Sequence, residues 1–123
     1  MAKILVVDDD PNNRLLLKSI LNYDGHTVVE ADSGAAGLAR VAEDTPDLVI
    51  VDLNMPDVDG VTFVRTLREN PAHDAVEIAL YTGTMLTAAI GDFLQLYRVR
   101  TVIPKPSEPE EVLRLVSDAL RGD

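Results

Sequence analysis

The residues that could do chemistry stand where apolar runs stop. Ile4-Leu5-Val6-Val7 leads straight into Asp8, Asp9 and Asp10. A second run, Leu48–Val51, ends on Asp52, and a third, Thr101–Ile103, leads into Pro104, Lys105 and Pro106. In an open parallel sheet the carboxyl ends of the strands gather on one edge, and ligands bind there. The spacing therefore predicts that Asp8, Asp9, Asp52 and Lys105 meet at one spot. Several carboxylates and one ammonium suit a divalent cation, Mg²⁺ in particular, and an anionic phosphoryl group.

Each of these residues has an ordinary alternative. Adjacent carboxylates repel, and a hard cation relieves that repulsion by taking oxygen ligands; the same three acids could simply cap a helix. Asp10 is expected to be the cap, leaving Asp8 and Asp9 for metal. An acid closing the buried run before Asp52 is costly unless a cation or hydrogen bonds meet it, and such a carboxylate can act as a nucleophile and form an aspartyl-phosphate. Its plain alternative is a strand-end cap. Lys105 lies between two prolines that pin its backbone, a setting in which a cis Lys105–Pro106 bond is an option. A fixed ammonium stabilises a phosphoryl group electrostatically, although a lysine at a strand end is usually just solvated. Thr82 and Gly83 add a hydroxyl and an unobstructed N–H that could reach phosphoryl oxygens, or form an ordinary turn. His26 and His73 lack metal-ligand spacing and are expected at the surface. There is no dinucleotide fingerprint, P-loop, or nucleophilic Ser or Cys motif.

Strand-like runs alternate with segments of helical period. The strands are expected at Ile4–Val7, Thr27–Glu30, Leu48–Val51, Ile78–Tyr81 and Thr101–Ile103; the first, third and fourth are nearly continuous apolar runs, as in strands covered on both faces. The first helix opens with Asp10 as cap and Pro11 at its first position, carries Leu15, Leu16, Ile20 and Tyr23 inward, and stops before Gly25. The second starts at Ser33 and buries Leu38 and Val41. The third follows Gly60 with Phe63, Val64 and Leu67. The fourth, Leu86 to Tyr97, contains Gly91, which costs about 1 kcal/mol against Ala. The fifth opens with a capping box of Ser107 and Glu110 and buries Val112, Leu113, Val116 and Leu120. Five strand–helix repeats with right-handed crossovers give a doubly wound parallel sheet, α/β in class, with helices on both faces.

A length of 123 residues predicts one domain, residues 1–123. The 21 acidic and 11 basic residues leave a formal charge of −10, which disfavours direct binding to nucleic acid or to anionic membranes. With no cysteine there is neither a disulfide nor a thiolate metal site. No apolar stretch approaches membrane-spanning length and the N-terminus does not read as a signal peptide, so a cytoplasmic location is expected. The chain ends at Asp123, directly after the fifth helix, with no output domain expected within it.

ILVVDDDP, VDLNMPDVDG, LYTG and Lys105–Pro106, in this order and spacing, resemble the receiver domain of two-component response regulators across nearly the whole chain. The resemblance implies a flavodoxin-like sheet in the order 2-1-3-4-5 with five helices. It implies a phosphoacceptor switch rather than a conventional enzyme, one that catalyses only its own phosphorylation and dephosphorylation. Asp52 would take a phosphoryl group from a histidine kinase or phosphotransfer protein. Asp9 and Asp52 would ligate Mg²⁺ directly with the carbonyl of Asn54, and Asp8 through water. Lys105 would pair with the phosphoryl group, Thr82 would swing toward it, and the surface of helix 4, strand 5 and helix 5 would change for an output domain or partner. Asn54 and Thr84 would flank the hydrolytic water. Three positions depart from the family pattern: Val102 replaces the Tyr or Phe three residues before the lysine, Pro104 precedes that lysine, and Arg98 stands where many relatives have a helix-ending glycine. Without a ring at Val102, the signal is expected to pass through Thr82 and Gly83 into helix 4. Two other readings use the same residues: an aspartate-nucleophile phosphatase of haloacid dehalogenase type, from Asp8-Asp9-Asp10, and a pseudo-receiver that binds partners without phosphorylation.

Overall fold

The computed structural model describes residues 1–53, 60–83 and 88–121. Five strands run parallel: β1 (Lys3–Val7), β2 (Thr27–Ala31), β3 (Leu48–Val51), β4 (Glu77–Thr82) and β5 (Thr101–Pro104). Their order in the sheet is β2-β1-β3-β4-β5. Between them lie α1 (Pro11–Tyr23), α2 (Gly34–Glu43), α3 (Gly60–Glu69) and α4 (Ala88–Leu96), and α5 (Pro109–Arg121) closes the order; a 3₁₀ turn, Pro71–His73, follows α3. This is the flavodoxin-like arrangement expected from the sequence, in the strand order that the handedness of successive crossovers permits.

Alternation along the strands splits the core in two. Ile4, Val6, Leu48, Ile50, Ala79, Tyr81 and Ile103 face α1 and α5. Leu5, Val7, Val49, Val51, Ile78 and Leu80 face α2, α3 and α4. The central strands β1, β3 and β4 are buried on both faces, which is why they read as continuous apolar runs. The edge strands differ. In β2 only Ala31 is buried, Val28, Val29 and Glu30 are half-buried and Thr27 is exposed. β5 ends on the exposed Pro104, which an outer strand tolerates because no further strand needs its missing N–H.

Two helices are oriented differently from their expected faces or caps. In α1 the buried residues are Leu17, Ile20 and Leu21, while Leu15, Leu16 and Tyr23 are exposed. The run Leu15-Leu16-Leu17 fits several stripes by period alone, and contact with the sheet selects the one centred on Leu17. At α5 the Ser107–Glu110 capping box does not form. The helix begins two residues after Ser107, at Pro109, and the Ser107 hydroxyl donates to the carbonyl of Pro104. A proline suits a first helical position, where an N–H would lack an intrahelical partner anyway. Leu113 and Leu120 pack at the margin of the core that Val112, Val116 and Ala119 fill.

The remaining ends follow local chemistry. The Asp10 carboxylate accepts from the N–H of Asn12 at 2.8 Å and caps α1. Ser33 caps α2 by accepting from Ala36. α4 closes in a Schellman turn: Arg98 N–H bonds to Gln95 and Val99 N–H to Leu94, with Arg98 in the left-handed region at φ 57°. The Arg68 side chain holds this turn by donating to the carbonyls of Tyr97, His73, Asp74 and Arg98. None of the residues of α4 is fully buried; Ile90, Phe93 and Leu94 lie half-buried against the core.

Candidate functional site

Strand register brings the chemistry together. Val7 pairs with Val51, so the residues that follow them, Asp8 and Asp52, emerge side by side. Thr82 pairs with Pro104, and the Thr82 carbonyl accepts from Lys105 N–H. Lys105 leaves an outer strand, yet its ammonium reaches across the end of β4 to Asp52 Oδ2 at 3.1 Å and Asp8 Oδ2 at 3.3 Å. The peptide bond that follows it, Lys105–Pro106, is cis.

Asp8 is 1% exposed. Its Oδ1 accepts from the N–H of Asp10, and its Oδ2 faces Lys105 and the Asn13 side-chain amide, which donates at 3.2 Å. Arg14 donates to the Asp8 carbonyl and pairs with Glu30 on β2, fixing the first turn of α1 over the site. Asp9 is exposed beside them. Carboxylate oxygens of Asp8, Asp9 and Asp52 lie within 4.8 Å of one another, the only such grouping of acids or histidines among the described residues. Mg²⁺ takes one or two carboxylates from protein and leaves its other positions to water and phosphate, so this cluster offers enough hard oxygen donors, with the third acid able to act through a bound water.

Burial alone would lower the Lys105 pKa. Its hydrogen bond to Asp52 and the charges of Asp8 and Asp52 outweigh burial and raise it, so the ammonium is retained. Thr82 is buried at the end of β4 and Gly83 is exposed beside it. Asn54 and Thr84 lie outside the described residues.

Gly60 explains how α3 can begin so close to the site. A Cβ there would stand 2.0 Å from the Asp52 carbonyl oxygen and 2.6 Å from Leu53 Cα. Only glycine lets the helix start against the backbone that carries Asp52.

Three residues at the site were not singled out from the sequence. Asn13 lies three positions after the cap Asp10, and that spacing turns it back toward Asp8. Arg14 follows it. Tyr81, one residue before Thr82, places its ring under the Lys105 ammonium, 4.9 Å from the centroid. The two histidines are not simple surface residues. The His26 imidazole is 7% exposed and accepts from the N–H of Ala2, because β2 must start beside β1. His73 is half-buried in the turn that Arg68 gathers.

Residues 4–117 match the family described as the response regulator receiver domain. The chain belongs to that family. It is 30% identical to protein PilH of Pseudomonas aeruginosa, covering 99% of this chain and 100% of that one. It is 31% identical to chemotaxis protein CheY of Bacillus subtilis, covering 96% and 97%. It also matches sensor protein EvgS of Escherichia coli O157:H7 at 52% identity over 66 residues, 54% of this chain but only 6% of that protein. Among solved structures, chemotaxis protein CheY4 of Vibrio cholerae superposes with a TM-score of 0.90 at 27% identity, covering 97% of this chain and 98% of that one. This receiver domain is thus a two-component signalling module, with an acidic cluster suited to Mg²⁺. No helix among the described residues is long and apolar enough to cross a membrane.

Proposed function

We propose that the chain is a single receiver domain, residues 1–123, that accepts a phosphoryl group on Asp52 from a histidine kinase or phosphotransfer protein. The observation that carries this reading is the Lys105 ammonium bridging Asp52 and the buried Asp8 beside Asp9. In this reading a carboxylate oxygen of Asp52 attacks phosphorus, an O–P bond forms, and the P–N bond to the donor imidazole breaks. Its electron pair stays on the ring nitrogen, which takes a proton. Lys105 already sits beside Asp52 and neutralises charge on the incoming phosphoryl oxygens. Thr82 supplies a hydroxyl at the end of the neighbouring strand, and Gly83 supplies a backbone N–H beside it. Asp8, Asp9, Asp52 and the carbonyl of Asn54 would hold Mg²⁺, which when bound offsets the negative charge shared by the carboxylates and phosphoryl oxygens.

The protein then acts as a cytoplasmic switch whose only chemistry is its own phosphorylation and dephosphorylation. Its readout passes through the surface of α4, β5 and α5 to an output domain or partner protein. Val102 packs on the α4 side of the sheet without a ring, which favours a route from Thr82 and Gly83 into the shallowly packed α4. One observation disfavours a haloacid-dehalogenase-type phosphatase: Asp10, the second acid of a D-x-D pair, caps α1. The intact acid cluster disfavours a pseudo-receiver. Incubation with acetyl phosphate and Mg²⁺, followed by intact mass and peptide mapping, should place one phosphoryl group on Asp52 and none in Asp52→Asn. Label on Asp8, or an unlabelled wild type, would overturn the assignment.

A further inference from the structure

Lys105 has to cross the mouth of β4 to reach Asp52, and a lysine side chain has four flexible bonds to hold in place for that reach. Two of its contacts are the carboxylates of Asp8 and Asp52. Both would be drawn upon when metal and a phosphoryl group arrive. The third neighbour is different in kind. Tyr81 presents its ring to the ammonium at 4.9 Å from the centroid. The ring is 4% exposed and is packed into the core beneath α1 and α5. It belongs to a central strand, paired through Leu80 and Thr82 to β3 and β5. Its position is therefore set by sheet pairing and core packing rather than by the acids.

We propose that Tyr81 is a positioning residue for phosphoryl transfer at Asp52, its ring holding the Lys105 ammonium over the nucleophile by a cation–π contact. The inference rests on the phosphoacceptor reading above. Strand alternation supplies the reason for this placement: Leu80 and Thr82 project to one face, so Tyr81 projects to the other, the side across which Lys105 travels. Burial raises the Tyr81 hydroxyl pKa while Lys105 draws it down, as expected of a ring and an ammonium in one desolvated space. A leucine would fill much of the same volume but offers no quadrupole to a cation.

Tyr81→Leu and Tyr81→Phe separate the ring from its burial. Labelling of Asp52 by acetyl phosphate at saturating Mg²⁺ should slow about 3- to 10-fold in Tyr81→Leu, the scale of a partly desolvated cation–π contact, and Tyr81→Phe should restore most of the rate. Mg²⁺ affinity, measured by calorimetry, should not fall in either variant, because Lys105 competes with the metal for Asp8 and Asp52 rather than ligating it. In the wild type and in Tyr81→Phe the Lys105 Cε protons should resonate upfield from ring-current shielding; in Tyr81→Leu they should not. Equal labelling rates for the leucine and phenylalanine variants would overturn the inference. So would a slow Tyr81→Leu whose Mg²⁺ affinity falls in parallel, since that is general distortion of the site. Unshifted Lys105 methylene protons in the wild type would overturn it even if the leucine variant does not fold. A wild type that takes no label refutes the phosphoacceptor reading and this inference together, whereas the outcomes above refute the inference alone.

Discussion

Asp9→Ala should make the metal-free protein more stable and the Mg²⁺-loaded protein less stable than the wild type. Oxygens of Asp9 lie within 4.8 Å of those of Asp8 and Asp52. At that separation a pair of like charges repels by about 0.9 kcal/mol in bulk water and about 3.5 kcal/mol at an effective dielectric of 20. Asp9 is exposed, which puts it near the aqueous limit, and Lys105 offsets part of the charge on both neighbours. Two such pairs give a net gain of about 1–2 kcal/mol on removing Asp9. For a domain of this length that raises Tm by about 4–8 °C. The wild type recovers more than this from metal: at a hundredfold excess over Kd, Mg²⁺ contributes about 2.7 kcal/mol, and the variant should gain little. The assay is thermal unfolding of both proteins in EDTA and across a Mg²⁺ titration at fixed ionic strength. The two stability curves should cross. A wild type that does not respond to Mg²⁺, or a variant less stable than the wild type in EDTA, would refute the reasoning that these acids form an electrostatically strained cation site.

Three further outcomes follow from the same geometry. Gly60→Ala should cost about 3 kcal/mol in urea unfolding, the upper end of overpacking penalties, because the obstacle is the Asp52 backbone itself rather than a yielding side chain; a neutral substitution would mean that α3 does not start against that carbonyl. Arg98→Gly should stabilise by roughly 0.5–1 kcal/mol, relief of the left-handed backbone exceeding the loss of the exposed ion pair to Asp74, read as a higher urea midpoint. Burial raises the Tyr81 pKa, and the carboxylates raise that of Lys105 against its burial. Both groups therefore contribute stability that is complete below their unfolded values, roughly 10, and lost as pH rises through the folded ones. Urea unfolding between neutral pH and roughly pH 11 should show this decline, less steep in Tyr81→Phe; superimposable profiles would contradict it.

Local chemistry and period carried much of the structure. The strands were legible because β1, β3 and β4 are buried on both faces, and such strands must be apolar throughout. The start of α1 was legible because Asp10-Pro11 satisfies a helix end within a few residues. The inward face of α3, Phe63, Val64 and Leu67, was legible as well, but that of α1 was not. Three consecutive leucines at 15–17 satisfy the period in more than one rotation, and only contact with Ile4, Val6 and α5 selects Leu17. The Ser107–Glu110 pair failed because α5 starts at Pro109, two residues past Ser107, so the serine does not stand at the helix end that a capping box requires.

The sequence by itself determined that acids end β1 and β3, that a lysine follows β5, and hence that they share one edge of a parallel sheet. That inference needs only strand polarity, a property of the chain direction. Tertiary structure decided who touches whom within that edge. Strand order sets Lys105 two strands from Asp52, so its side chain has to pass over Tyr81. Helix rotation brings Asn13 onto the same Asp8 oxygen that Lys105 meets. Gly60, which the sequence marks only as the residue before the third helix, proved to be a packing requirement at the Asp52 carbonyl. Each of these depends on contacts between segments distant in sequence, made at separations of a few ångströms that local propensity does not encode.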